Sequence, residues 1–470
     1  MKFRLIAGLA FGSLVAAYAA TAPAAPATVP AAAPPASQPA AAPAAAPASA
    51  PAATQASAPK PSVAKSGKPP VEFWVNSQSD EKYYQNMIAV YKAKVDPAFE
   101  ANVRSYGFTE MPDKLAIAIK TGINPPDIVQ LDEIYFSLYL RGTIPFADIT
   151  SKVEKSGLGD GILPQRMGLF KWKDKIYGVP QSVSNVVLYY RDDVFKDLGI
   201  TPKSIDTWPK LEAVAKKIHT DARSMLALDW SYFEILMRQR GSELFDAAGN
   251  PLPDSTLAVE TLKKLLAWKA GGIGILPDRG SMFEAEFFNA YVQTNGILAV
   301  VGADWYGLDM IQGFDPKHAG KWKAMALPIW TDSLSRGKSQ TSSFSGQGLV
   351  IMKKSKQTER AWNFVEWVMK DVDANVERYL QGNCFTPYRP AWTDMRFNKT
   401  DAYFGNQSLA GLLMELAPQV PTVIQSPYRA QFVQLFREKY WSAMMMGTTP
   451  PDSVFHQLKA ELLSKGGTKP

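Results

Sequence analysis

Three observations predict a layered α/β fold for the chain beyond about residue 70. Strand-like apolar runs alternate with helix-like amphipathic ones, which implies strands and helices stacked in layers. The length, 470 residues, is enough for two or three lobes with large buried cores. No self-similarity at a solenoid period interrupts that alternation.

The elements follow in order. VEFWV (71–75) is a first strand. In EKYYQNMIAVYKAK (81–94), Tyr84, Met87, Ile88 and Tyr91 recur at helical spacing on one face, with Ser79 or Asp80 as cap. DIVQL (127–131) follows Pro125-Pro126 as a short buried strand, and VVLYYR (186–191) is another. DTWPKLEAVAKKI (206–218) opens with Thr207 as cap and Pro209 in the first turn. Leu211, Val214, Ala215 and Ile218 then form its apolar stripe. GLVIM (348–352) is a strand, and ERAWNFVEWVMK (359–370) a helix packed through Trp362, Val365 and Val368.

The N-terminal region is different. Residues 1–20 place Lys2 and Arg4 before an apolar run from Leu5 to Ala17, then the small-x-small site Ala17-Tyr18-Ala19. That is the pattern of a signal peptide cleaved after Ala19, with an uncleaved segment acting as a membrane tether as the alternative. The run is shorter than the roughly 20 residues a transmembrane helix needs. From 21 to 60, 30 of 40 residues are Ala or Pro, so the stretch from 20 to 70 is expected to be a core-less, semi-rigid tether.

The formal net charge of +7 belongs to this region. Five of the 51 basic residues and none of the 44 acidic ones precede residue 71, leaving 46 against 44 in the body. That balance gives no basic footprint for nucleic acid. One cysteine, Cys384, excludes an intramolecular disulfide.

Catalytic signatures are missing. The three histidines, His219, His318 and His456, are far apart, and no HExxH, CxxC, GxSxG or Asp-rich calcium loop occurs. RGKS (336–339) would end a phosphate-binding loop only if residue 332 were Gly, and it is Asp332. GLGDG (157–161) follows no strand and reads as a loop. Glu284 and Glu286 form the best candidate carboxylate pair for glycoside hydrolysis. In SMFEAEFFNAYV (281–292), read as a helix, their spacing points them to different sides. No metal or cofactor is expected.

What converges is a set of polar and aromatic residues just after predicted strands, where α/β proteins place binding groups. They are Asn76 and Gln78 after VEFWV, Asp132 and Glu133 after DIVQL, and Trp230 and Tyr232 in ALDWSYF. The run GILAVVGADWYGLDM (296–310) delivers Asp304, Trp305 and Tyr306 to a strand tip. Ser345 and Gln347 stand among glycines. Tyr388, Arg389, Tyr428 and Arg429 complete the set. Aromatic planes match the C–H face of a sugar ring, and planar carboxylate, amide and guanidinium groups bind adjacent hydroxyls. Ordinary packing is the competing reading for each of them.

The order of motifs resembles the bacterial extracellular solute-binding proteins of family 1. The resemblance rests on AIKTGINPPDIV (118–129), KDKIYGVP (173–180), LYYRDDVFKDLGI (188–200) and TW (207–208). It continues through GILAVVGADW (296–305), ALPIW (326–330) and GQGLVIMKKSKQTERAWNFVEW (346–367). AGKWKAMALPIW (319–330) is most similar to the arabinose- and lactose-type branch. Arg191 stands where the family commonly has Asn.

The resemblance implies a periplasmic-binding-protein fold of type II, with two α/β lobes around a hinge and a ligand cleft. One lobe takes 71–184 with 346–374, and the other 185–345 with 375–470. It implies a monomeric, exported receptor that binds a sugar or oligosaccharide and docks on the transmembrane permease subunits of an ABC importer. Trp305 matches the stacking aromatic, and Trp230 or Tyr232 a second contributing segment. Asp132 and Glu133 match the loop after the second strand, and Tyr428 lies near a further contact region. Rival readings are a glycoside hydrolase or lyase, the same fold binding polyamine, phosphate or ferric iron, and a sensor presenting ligand to a membrane receptor. Arg389 and Arg429 leave an acidic sugar open.

Overall fold

The structure is a computed structural model, and it describes residues 67–465 apart from Lys338 and Gly382. The expected signal peptide and nearly all of the Ala/Pro tether lie outside the described residues. Among the described residues no helix is long and apolar enough to cross a membrane.

Ten strands form two five-stranded sheets. They are β1 (Val71–Val75), β2 (Ala101–Ser105), β3 (Ile128–Asp132), β4 (Gly178–Pro180), β5 (Val186–Arg191), β6 (Ser224–Ala227), β7 (Gly274–Ile275), β8 (Ile297–Ala303), β9 (Trp322–Met325) and β10 (Gln347–Ile351). The first sheet runs β2-β1-β3-β10-β4 and the second β9-β5-β8-β6-β7. Strands β1, β2 and β3 are parallel, and β10 enters between β3 and β4 antiparallel to both. In the second sheet β8 is antiparallel to β5 and parallel to β6.

The strands read as continuous apolar runs because each sheet is covered on both faces. Val71, Phe73 and Val75 of β1, with Leu349 and Ile351 of β10, point into one core. Trp74 and Val350, one residue out of phase, point into the core on the other face. The helix Gln78–Lys94 closes the first of these cores with Tyr84, Met87, Ile88 and Tyr91, and Thr358–Lys370 closes it with Trp362, Val365 and Val368. A larger cluster fills the second lobe around β5 and β8.

Local signals explain most element boundaries. Thr207 caps Trp208–Ile218, with Pro209 in its first turn. The first helix is capped by Ser77, not Ser79 or Asp80. Ser77 Oγ accepts the Asp80 N–H at 3.0 Å, and the helix begins three residues before the stretch read from periodicity. GLGDG, expected as a loop, forms a one-turn helix, Leu158–Gly161. The helix expected over 281–292 begins only at Ala285, because Glu284 keeps extended backbone and Ser281–Glu284 closes a turn.

The chain passes between the sheets after β4, before β10, and again after the helix Val372–Leu380. These crossovers lie side by side. Val183 N–H donates to Phe385 O at 2.8 Å, Val186 N–H to Ser342 O at 3.0 Å, and Asn185 bridges to Ser343. Adjacent crossovers are the arrangement from which two lobes rotate as rigid bodies.

Candidate functional site

The crossovers run past the C-terminal ends of β1, β3 and β8, and several of the expected site residues lie there, Asp304, Asp132, Ser345 and Gln347 among them. Asp304, at the tip of β8, is fully buried. Its carboxylate accepts the backbone N–H groups of Trp305 (2.7 Å), Phe385 (3.1 Å) and Ser184 (3.2 Å). Burial pushes its carboxyl up to about 6, against the pull of those donors and of Arg166. Of the two roles open to Asp304, hydrogen-bonding a ligand hydroxyl or only pinning its loop, these contacts support the second. It pins the end of β8 to two crossovers.

Pinning Asp304 fixes the direction of the π-helical turn Tyr306–Ile311 that follows. A side chain at Gly307 would overlap the ring of Tyr189, placing Cβ 2.3 Å from its nearest atom, so only glycine lets the turn sit this close to β5. Tyr306 is buried and donates through Oη to Met282 O at 2.6 Å. Trp305 is only partly buried. Its ring stacks near Phe283 (6.2 Å between centroids, 29°) and tilts against Phe344 (6.2 Å). Trp230 meets Phe344 edge-on at 5.9 Å. Trp305, Trp230 and Phe283 thus present one partly exposed aromatic surface backed by buried Phe344.

Tyr232 does not join it. It is fully buried, and its Oη accepts the Val301 N–H at 3.0 Å. The helix Ser231–Gln239 begins directly after Trp230, and two residues of helical phase turn Tyr232 into the core.

On the first lobe the carboxylates are also committed internally. Asp132 is buried and caps the turn after β3 through the Ile134 N–H (2.8 Å), while the Ser345 hydroxyl donates to it at 2.5 Å. Ser345 holds this contact in a left-handed conformation, φ 59°. Glu133 is fully buried and takes both ends of the Arg429 guanidinium at 2.5 Å, with Gln425 at 3.0 Å. Neither carboxylate presents a free edge, which corrects the expectation for both.

The remaining residues divide. Asn76 is buried and donates two hydrogen bonds to Gln130, from its backbone N–H and its side-chain amide, and the Gln130 amide donates to Gln347 Oε1 at 2.5 Å. Gln78 is exposed at the start of its helix. Tyr388 is half-buried against Gly161 and touches the cores of both lobes. Arg389 is exposed and donates to Asp160 O at 2.6 Å. Tyr428 is half-buried beneath the Arg141 guanidinium, 5.0 Å from its ring centre.

Two participants had no sequence signal. Fully buried Arg166 donates to Ser182 O (3.1 Å), Ser343 Oγ (2.6 Å) and Ser345 O (3.1 Å), bracing two crossovers. Phe283 reads as core in its apolar surroundings, and only its incomplete burial beside Trp305 marks it. Glu284 and Glu286 are exposed. Among the described residues no group of three His, Cys, Asp or Glu is placed to hold a metal.

A cavity of about 370 Å³ elsewhere on the first lobe is lined by Phe146, Asp148, Trp172, Lys175 and Lys353. Lys353 lies beyond the end of β10 remote from Gln347, and so away from Asp132. None of the aromatic surface lines that cavity.

Burial also pushes the Asp132 carboxyl up to about 7, reinforced by Glu133. A folded-state value above the unfolded one means that the native state binds the extra proton. Stability from this group is then greatest at low pH and declines between about pH 4 and pH 7. Asp132→Asn keeps an acceptor and removes the titration. Its stability relative to the parent is expected to rise by about 1–2 kcal/mol between pH 5 and pH 8. Urea unfolding at the two pH values tests this, and an unchanging difference would refute it.

Two lobes joined by three adjacent crossovers, with an aromatic surface at their junction, define a two-domain binding-protein architecture of the type II periplasmic class. The chain belongs to the bacterial extracellular solute-binding protein family, whose model matches residues 75–373. It is similar to the arabinooligosaccharide-binding protein of Bacillus subtilis (strain 168), with 25% identity over 416 residues covering 86% of this chain and 94% of that one. It is similar also to the lactose-binding protein of Rhizobium radiobacter, with 24% identity over 352 residues, 71% of this chain and 78% of the relative. In fold it matches the ABC transporter associated binding protein of B. animalis subsp. lactis Bl-04, solved with beta-1,6-galactobiose. The TM-score is 0.67 at 20% identity, over 84% of this chain and 97% of that one. A solute-binding protein of Thermotoga lettingae bound to alpha-D-tagatose matches with a TM-score of 0.69 at 18% identity, over 84% and 99% of the two chains.

Proposed function

We propose that this protein is the substrate-binding component of an ABC importer, holding a sugar or short oligosaccharide between its lobes and passing it to the transmembrane permease subunits. The observation that carries the ligand class is the partly exposed surface of Trp305, Phe283 and Trp230 at the lobe junction. A flat apolar surface beside hydrogen-bonding groups suits a ring with one C–H face and a rim of hydroxyls. The names of the curated relatives, arabinooligosaccharide- and lactose-binding, support the same class.

The action is binding without bond-making. Contacts from both lobes favour the closed arrangement, and the ligand shifts the population only by its preference for that arrangement. The exposed pair Glu284 and Glu286 is not part of the proposed site. Incubation with oligosaccharides should release no new reducing ends, and sustained release would favour a hydrolase. We place the protein outside the cytoplasmic membrane as a monomer, exported by its first 19 residues and held off a surface by the Ala/Pro segment.

The direct test is a thermal-shift screen across neutral mono- and oligosaccharides, with arabino- and galacto-oligomers first. A ligand at a hundredfold its Kd stabilises by about 2.7 kcal/mol and raises the melting temperature. Small-angle scattering with the same ligand should show contraction. No rise with any sugar, together with superimposable scattering profiles, would overturn the proposal.

A further inference from the structure

Among the carboxylates at the lobe junction, Asp309 differs from the rest. Asp132, Glu133, Asp304 and Asp80 are buried and engaged by protein donors. Asp309 lies four positions beyond Trp305, on the same π-helical turn. Its side chain is exposed, and among the described residues it has neither a hydrogen bond nor an ion pair. Its surroundings are nevertheless not those of an open surface. Desolvation by the protein around it, and secondly Asp80, push its carboxyl up to about 6.

Asp80 sits on the other lobe, in the first turn of the helix that follows β1. It is held there by Arg378 (3.0 Å), Ser77 (2.7 Å) and Asn383 (2.9 Å). The accessible carboxylate of Asp309 lies one turn along the same π-helical segment from partly exposed Trp305, and so borders the space at the lobe junction that Trp305 faces. Trp305, a turn away, supplies that space with its aromatic wall.

The cations nearby do not offset it. Arg429 is fully buried and paired with Glu133 and Glu234, and Arg378 is held by Asp80 and Tyr84. Arg166 is bound to two carbonyls and a serine, and Arg389 reaches the Asp160 carbonyl. An acidic ligand would meet the unpaired charge of Asp309, while Arg429, Arg378, Arg166 and Arg389 are already committed to protein acceptors. A ligand rich in hydroxyls meets an acceptor with two open oxygens, suited to a pair of neighbouring O–H donors.

We infer that Asp309 is the residue that reads ligand charge in this site, accepting hydrogen bonds from adjacent hydroxyls of a neutral glycan and rejecting uronic sugars. The inference rests on the sugar-binding reading above and narrows it, closing the acidic-sugar alternative that Arg389 and Arg429 left open. An unpaired charge near a desolvated site discriminates more by rejecting the wrong ligand than by attracting the right one.

The test is calorimetry at pH 7.5 on the full chain with arabinotriose, lactose, galactobiose and digalacturonate. The galactobiose used is the alpha-1,4-linked disaccharide, so that it and alpha-1,4-digalacturonate differ chiefly at C6, hydroxymethyl against carboxylate. The parent should bind at least one neutral sugar and bind digalacturonate at least tenfold more weakly than galactobiose. Asp309→Ala should weaken the neutral sugar about tenfold or more. Asp309→Asn, which keeps the shape and one acceptor, should lose less and narrow the gap against digalacturonate. Melting temperatures of both variants in the absence of sugar check folding.

If both variants bind the neutral sugar within twofold of the parent while Trp305→Ala loses it, the inference fails and the sugar-binding reading stands. Tighter binding of digalacturonate than galactobiose by the parent would also overturn the inference alone. If the parent binds none of these sugars and none in the wider thermal screen, both fall.

Discussion

Arg429→Met is expected to cost about 3–5 kcal/mol of folding stability, the scale for removing one partner of a buried ion pair. The guanidinium, Glu133 and Glu234 are all within 1% of complete burial, and the contacts are 2.5 Å on both sides. Without Arg429, Glu133 keeps the Gln425 amide as its one side-chain partner among the described residues. Glu234 keeps Arg238, at 2.5 Å, which also serves Glu243 at 2.8 Å. Glu133 would suffer most, as a nearly unaccompanied charge in a dry interior. Met matches the length of the lost stem, so the loss reports charge and hydrogen bonding more than a cavity.

The double substitution Glu133→Gln with Arg429→Met should recover a substantial part of the loss, because it removes the orphaned charge as well. Urea unfolding of the parent, both single variants and the double variant measures the coupling. A loss below about 1 kcal/mol for Arg429→Met would show that the network contributes little. The network also has a pH signature. Glu234 is buried, yet Arg238 and Arg429 overcome its desolvation and hold its carboxyl below the usual range. A depressed folded value gives stability that is present above about pH 4.5 and lost as pH falls below it. The sign is opposite to that of Asp132. Because Glu133 follows β3 and Glu234 lies in the second lobe, Arg429 also ties the lobes together. Its loss should therefore loosen their arrangement.

The framework was legible because it rests on local patterns. VEFWV, DIVQL and GLVIM become central strands of one sheet. ERAWNFVEWVMK packs through the three residues that its periodicity selects. The site was less legible because burial there depends on contacts distant in sequence. Asp304 is closed off by backbone donors 120 and 81 residues away, and Glu133 by an arginine 296 residues away. A carboxylate after a strand looks the same in sequence whether such partners arrive or not. Tyr232 was misread for a smaller reason, the exact residue at which a helix starts. Asp309 and Phe283 escaped because neither an isolated acid nor a Phe among apolar neighbours is unusual. Only their exposure in the folded chain distinguishes them.

Trp305→Ala should weaken binding of the cognate sugar by about 2 kcal/mol or more, roughly thirtyfold, the effect of removing a central aromatic from an interface. Three observations make Trp305 the residue to test. It is partly exposed, unlike Tyr306 beside it, so its face is open to a ligand. Its own N–H is bound by Asp304, which fixes the backbone from which the ring projects and limits the ordering cost on binding. Phe283 flanks the ring within the exposed surface and buried Phe344 supports it from behind. The substitution leaves the Asp304 anchor intact because all three of its donors are backbone groups. Folding stability should fall by much less than affinity in relative terms, since the indole is not at the centre of the core. Trp305→Phe, which keeps a plane with less area, should fall between the parent and Ala. Calorimetry on sugar identified by thermal shift gives the ordering. Affinities equal within twofold for all three proteins would remove Trp305 from the site and leave the aromatic surface as packing alone.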